Sequence, residues 1–153
     1  MKFNNFKTQK KMKILYEASS TAVGGRKGHV TTDDGKIDME LSVPKGLGGD
    51  GGKGTNPEQL FGSAYAACFG GAVQMVAESK KIKLGDDMSV TANIEIGKTK
   101  DGDLQLRATL DCYLPGVDVE TGEDLVNKAH EVCPYSRATR DNITVTLNLL
   151  LDE

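Results

Sequence analysis

Two stretches of the chain alternate apolar and polar residues with a period of two. Met88 to Ile96 is apolar at Val90, Ala92, Ile94 and Ile96, and Leu104 to Leu114 is apolar at Leu104, Leu106, Ala108, Leu110 and Leu114. Successive side chains on a strand point to opposite faces, so this pattern predicts two strands, each with one buried face. A turn containing Asp101-Gly102 joins them as an antiparallel pair. Ile143 to Leu149 repeats the alternation, with Thr144, Thr146 and Asn148 outward, and is expected to be the closing strand. Upstream, Lys13 to Ala18 is a short strand candidate and Thr21 to Gly28 a glycine-punctuated loop. His29 to Thr32 and Ile37 to Ser42 flank Asp34-Gly35 as the two arms of a hairpin. Pro44 to Gly54 contains six glycines and is expected to be an irregular loop or flap.

The pattern changes after Gly54. Asn56 is a good helix cap, Pro57 suits a first helical position, where its missing N–H would go unpaired, and Glu58 sets negative charge beside the positive end of the dipole. From Leu60 to Ala77 the clearly polar side chains are Ser63, Tyr65 and Gln74, so the predicted helix is apolar nearly all round. Such a helix is buried centrally or lies at a subunit interface. Gly62, Gly70 and Gly71 each cost about 1 kcal/mol relative to alanine within it, which calls for close packing or room for a ligand. A second helix is expected from about Gly122 to Cys133. Thr121 would cap it, Asp124 stands at capping-box spacing, and Leu125, Ala129, Val132 and Cys133 share a face until Pro134 ends it.

These elements describe one α+β domain over residues 1–153, with 1–12 as a basic N-terminal extension. Lys and Arg total 19 against 22 Asp and Glu, a net charge of −3. That balance gives no reason to expect nucleic acid or an acidic membrane surface as a partner. No apolar run of signal-peptide length follows the basic start, and no stretch is continuously apolar over the length of a membrane span. The expectation is a soluble cytoplasmic protein, where thiols are kept reduced and a disulfide would be transient and catalytic rather than structural.

Three cysteines carry the candidate chemistry. Cys112 falls in phase with Leu110 and Leu114 on a buried strand face, where free cysteine serves as a small core hydrophobe. Cys68 stacks with Ala64, Ala72 and Met75 on the apolar helix and reads either as an inert core thiol or as a reactive one. A mid-helix position gains little from the dipole, so a reactive Cys68 needs a cation from elsewhere. Arg26, in a glycine-rich loop, can supply it, with Glu58 as a carboxylate partner; a surface arginine and a simple helix-start charge are the alternatives. Cys133 stands just before a proline at a helix C-terminus, where the dipole disfavours a thiolate. No CxxC motif is present, and the cysteines with His29 and His130 show no zinc-ligand spacing. A cysteine nucleophile with either histidine as base would suggest a hydrolase or acyltransferase; the favoured alternative is a solvated helix face for His130 and a surface role for His29.

The stretches LSVPKGLGGDGGKGTNPEQLF (41–61), GSAYAACFGGAV (62–73) and VCPYSRAT (132–139), with GGR at 24–26, resemble the organic hydroperoxide resistance proteins of the Ohr/OsmC family. The similarity runs from about Lys13 onward, and the PEQLF and CPYS forms favour the Ohr branch. The resemblance implies antiparallel sheets around a long central helix in an intertwined homodimer. It also implies a thiol peroxidase without metal or bound cofactor, in which Cys68 attacks, Cys133 resolves, Arg26 stabilises the thiolate and Glu58 partners Arg26. Organic hydroperoxides would be the substrates, with Leu47, Phe61, Phe69 and Val73 either seating the alkyl chain or simply packing the core. A lipoylated protein or other dithiol would be the reductant. Glu58 and Cys68 are about 15 Å apart along a straight helix. Either the helix breaks near Gly62, or the Arg26 and Glu58 pair comes from the other subunit. A non-enzymatic redox sensor and an apolar small-molecule binding protein are the remaining alternatives.

Overall fold

The computed structural model describes residues 12–152, so the basic extension lies outside the described residues apart from Met12. The chain divides into two compact units, one ending at Gly54 and the other beginning at Thr55.

The first unit is an antiparallel three-stranded sheet in the order β1 (Ser20–Val23), β2 (His29–Thr32), β3 (Asp38–Glu40). The hairpin between β2 and β3 forms as expected: Asp34 accepts from the Thr32 hydroxyl and the Lys36 N–H, and Gly35 takes a left-handed φ of 70°. The first strand differs from the expectation. Ser20 to Val23 pairs with β2 from Ser20↔Thr32 to Val23↔His29, while Lys13 to Ala18 is irregular and exposed. A strand needs a ladder partner; β2 ends at Thr32, and an arm running back from Ser20 passes beyond it. Arg26 therefore sits in the turn of a hairpin, on a single 3-10 turn Gly25–Lys27. Gly28 closes that turn so tightly that a Cβ there would lie 1.7 Å from the Val23 carbonyl oxygen, and no other residue fits. Among the described residues of this unit, only Val30 and Leu41 are buried hydrophobics.

The second unit is built on α1 (Pro57–Ser79), an unbroken helix of 23 residues. Its start follows the expected chemistry: Asn56 accepts from the Gln59 N–H at 2.9 Å and Pro57 occupies the first helical position. By length and composition α1 is apolar enough to cross a membrane, with a mean hydropathy of 1.4, which inspection for continuous apolar runs overlooks. One side of it forms a core: Tyr65, Phe69, Ala72, Val73, Val76 and Ala77 pack with β5 and α2. The other side exposes Ser63, Ala67, Gly71, Gln74 and Met75. Gly62 explains its own cost, because a Cβ would stand 3.2 Å from the Ala92 carbonyl oxygen and the helix could not lie as close to the sheet.

The sheet of this unit has the order β4 (Ser89–Lys98), β5 (Leu104–Tyr113), β6 (Val145–Leu150). β4 and β5 are antiparallel, as their alternation and turn predict. β6 runs parallel to β5, so the all-antiparallel expectation is corrected to a mixed sheet. The reason is the helical crossover between them, which carries the chain back to the starting edge. Ala108, Leu110 and Cys112 face the core, while Asn93, Asp111 and Asn148 join across the three strands on the solvent face.

The crossover holds α2 (Val119–Val132) and α3 (Pro134–Thr139). α2 starts three residues earlier than expected because Asp118, not Thr121, is its cap, accepting from the Thr121 N–H at 2.8 Å. Pro134 ends α2 by forcing Cys133 to ψ 124°, and the same proline is the first residue of α3, a helix the sequence pattern did not reveal.

Candidate functional site

The fold brings Cys68 and Cys133, 65 residues apart in sequence, to a sulfur–sulfur distance of 3.7 Å within one chain. Each is held there for a local reason. Cys68 lies on the middle turns of α1, half-buried, three residues after Tyr65 and one before Phe69. Cys133 is the joint between α2 and α3: its N–H still donates to the Ala129 carbonyl at 2.8 Å, while its own carbonyl accepts from the Arg137 N–H at 2.9 Å. Its side chain is completely buried. Both thiols are free.

Electrostatics within this unit favour the protonated thiol. Burial pushes the Cys68 pKa above the ordinary 9.0, and the adjoining Cys133 thiol pushes it further. The backbone N–H of Tyr135, in the first turn of α3, hydrogen-bonds the Cys68 sulfur and works in the opposite direction. Cys112 is a separate matter. It is fully buried on β5, its pKa is pushed up to about 12 by burial, and its thiol donates weakly to the Leu110 carbonyl at 3.8 Å. That is the core role expected for it.

Aromatic rings crowd the cysteine pair. Tyr65 lies 5.7 Å from Phe61 and 5.8 Å from Tyr135, and Phe61 stacks on Tyr135 at 6.3 Å. Phe61 is partly buried and Tyr135 partly exposed, so these two rings border solvent. Phe69 and Val73, named from sequence as pocket candidates, have no exposed surface and belong to the core. Leu47 is exposed in the first unit, on the short helical turn Lys45–Leu47. Sequence inspection missed Tyr65, Tyr135 and Ser136 as site residues; the CPYS string was the available signal, since its proline starts the helix that presents the latter two.

Arg26 stands in the β1–β2 turn and Glu58 in the first turn of α1. Because α1 does not break at Gly62, Glu58 and Cys68 lie about 15 Å apart along its axis. The histidines go elsewhere. The His29 ring bridges two carboxylates, with Nε2 2.5 Å from Asp38 and Nδ1 2.8 Å from Glu40. His130 packs on Phe69, its buried Nδ1 has no hydrogen-bond partner among the described residues, and burial together with Arg140 lowers its pKa. Neither histidine forms a dyad with a cysteine. Among the described residues, no group of three or more His, Cys, Asp or Glu is arranged to hold a metal ion.

A mixed α+β unit with a half-buried thiol on a long apolar helix, facing a second thiol on the crossover, defines a dithiol protein. The pattern of OsmC-like proteins matches residues 49–148, and the chain belongs to that family. It is 49% identical to the organic hydroperoxide resistance protein of Xanthomonas axonopodis pv. citri over 137 residues, covering 90% of this chain and 96% of that one. Organic hydroperoxide resistance protein OhrB of Bacillus subtilis is 44% identical over 136 residues, covering 88% and 98%. The crystal structure of an organic hydroperoxide resistance protein from Elizabethkingia anophelis superimposes with a TM-score of 0.86 at 47% identity, over 92% of this chain and all of that one.

Proposed function

We propose that the protein acts in organic hydroperoxide resistance as a thiol-dependent peroxidase, with Cys68 as the attacking thiol and Cys133 as the resolving thiol. The observation that supports this most directly is the 3.7 Å approach of the two sulfurs. In the first step the Cys68 thiolate attacks the distal peroxide oxygen, the O–O bond breaks, and the alkoxide leaves as alcohol after taking a proton; Cys68 becomes a sulfenic acid. In the second, the Cys133 sulfur attacks that of Cys68 and water leaves, forming one disulfide. An external dithiol, for which a lipoyl group is the proposed source, then exchanges with the disulfide and returns both thiols.

The first step needs a thiolate, and burial with the adjacent Cys133 thiol opposes it. We assign Arg26 to stabilise the thiolate and the departing oxygen, with Glu58 holding the guanidinium. The unbroken α1 favours drawing the Arg26 and Glu58 pair from a second copy of the chain. The exposed small residues of α1 and the sparse core of the first unit support a homodimer in the same way. Full activity from a monomer in light scattering at micromolar concentration would remove that part of the proposal. Phe61 and Tyr135 favour apolar alkyl hydroperoxides over hydrogen peroxide, which gains nothing from aromatic surface.

The test is consumption of an alkyl hydroperoxide coupled to dihydrolipoamide oxidation. Wild-type protein should turn over many equivalents and prefer the alkyl substrate, and Cys68→Ser should consume none. Turnover by Cys68→Ser at the wild-type rate, or none by wild type, would overturn the assignment.

A further inference from the structure

The Tyr65 hydroxyl is buried, and both of its hydrogen-bond partners come from α3: the Ser136 hydroxyl at 2.9 Å and the Thr139 hydroxyl at 3.2 Å. Ser136 is fully buried and Thr139 nearly so. α3 has six residues and no side-chain cap at its start. A helix of that length does not hold itself together in water, so its position depends on what it is tied to. Tyr65 lies three residues before Cys68 on α1, and Ser136 three residues after Cys133. The tie therefore joins the segments that carry the two sulfurs, one helical turn from each.

We propose that Tyr65 is a positioning residue for disulfide formation: its hydroxyl anchors α3 to α1 and so holds the Cys133 thiol and the Tyr135 N–H against Cys68. This rests on the peroxidase reading for its biological role, although the geometric claim can be tested apart from it. The two sulfurs must close from 3.7 Å to bonding distance. Cys133 sits at a joint whose far side, α3, is held by this hydroxyl cluster together with the Phe61–Tyr135 stack and the Arg140 bond to the His130 carbonyl. Without the tie, α3 gains freedom to swing and the Cys133 sulfur spends less time in line with its target. Tyr65 touches neither sulfur through its hydroxyl, so its effect passes through α3.

The experiment uses Tyr65→Phe, which keeps the ring among Phe61, Phe69 and Tyr135 and removes only the oxygen. Formation of the disulfide between Cys68 and Cys133 is timed by quenched mass spectrometry with two oxidants. One is an alkyl hydroperoxide; the other is diamide, which takes both thiol hydrogens and needs no peroxidase chemistry. Closure should slow at least about tenfold with either oxidant, since sub-ångström misplacement of reacting groups carries penalties of that order. Ser136→Ala should slow closure less, because Thr139 remains, and adding it to Tyr65→Phe should have little further effect. Leu110→Val, a core truncation on β5 away from α3, should lower the melting temperature while leaving closure within twofold of wild type. Closure in Tyr65→Phe within twofold of wild type would overturn the proposal, as would equal slowing by Leu110→Val. If wild type closes with diamide but not with the hydroperoxide, and Tyr65→Phe slows that closure, the peroxidase reading falls and the positioning role stands. Should Tyr65→Phe not fold, unchanged closure in Ser136→Ala would overturn the proposal and slower closure would support it.

Discussion

Replacing Cys133 with serine should change the fate of Cys68 rather than its first reaction. A sulfur confined within 3.7 Å of another has a local concentration of about 8 M, taken as one molecule in a sphere of that radius, and alignment raises the effective value further. Against peroxide at about 10⁻⁴ M, and with similar intrinsic rate constants, resolution then outcompetes a second oxidation by roughly 10⁵ to one. The wild-type sulfenic acid should therefore survive many cycles without over-oxidation. In Cys133→Ser the competing thiol is gone, and nearly every sulfenic acid should proceed to sulfinic or sulfonic acid in excess peroxide. The serine hydroxyl enters a fully buried site at a cost of about 1–3 kcal/mol, so Cys133→Ala serves as the apolar control and should show the same chemistry. Intact mass spectrometry over a peroxide titration reads the outcome: wild type loses two hydrogens and stays there, while both variants gain oxygens. If the variants resisted over-oxidation as wild type does, or still cycled with a dithiol, Cys133 would not be the resolving thiol.

Cys112→Ser should leave peroxide consumption unchanged and destabilise the fold by about 1–3 kcal/mol, because it places a hydroxyl on a fully buried strand face; urea denaturation and the coupled assay check both halves. Arg26→Ala should keep the melting temperature and lose most activity, and the pH midpoint for alkylation of Cys68 should rise, since burial and Cys133 then act without a countering cation. An unshifted midpoint with full activity would contradict the role given to Arg26. His29 should titrate above 6.5, because the hydrogen bonds its ring N–H groups donate to Asp38 first and Glu40 second favour its charged form. The stability this adds is fully present below about 6.5, the unfolded value, and fades as pH rises through the folded value. Asp38→Asn should bring the midpoint down by NMR.

Much of the fold was legible because local chemistry determined it. The alternation of β4 and β5, the Asp34-Gly35 hairpin and the Asn56-Pro57 start of α1 each appear where the residues predict. What failed to show has a physical cause in each case. Alternation indicates which face a strand buries but not its direction, so the parallel course of β6 was invisible. Lys13 to Ala18 lacks a ladder partner, and Ser20 to Val23, exposed along its whole length, carries no burial pattern to mark it as a strand. Pro134 was readable as a helix end, yet the same fixed φ begins α3. The candidate site was legible through the resemblance far more than through spacing: nothing local brings Cys68 to Cys133, and the Tyr65 tie joins hydroxyls 71 and 74 residues apart.

Thiol counting under anaerobic conditions tests the central claim most directly. One equivalent of an alkyl hydroperoxide added to fully reduced wild-type protein should remove two of its three free thiols, and dihydrolipoamide should restore both, with Cys112 remaining reduced throughout. Retention of all three thiols after peroxide, or a loss that the dithiol does not reverse, would contradict a catalytic cycle carried by Cys68 and Cys133.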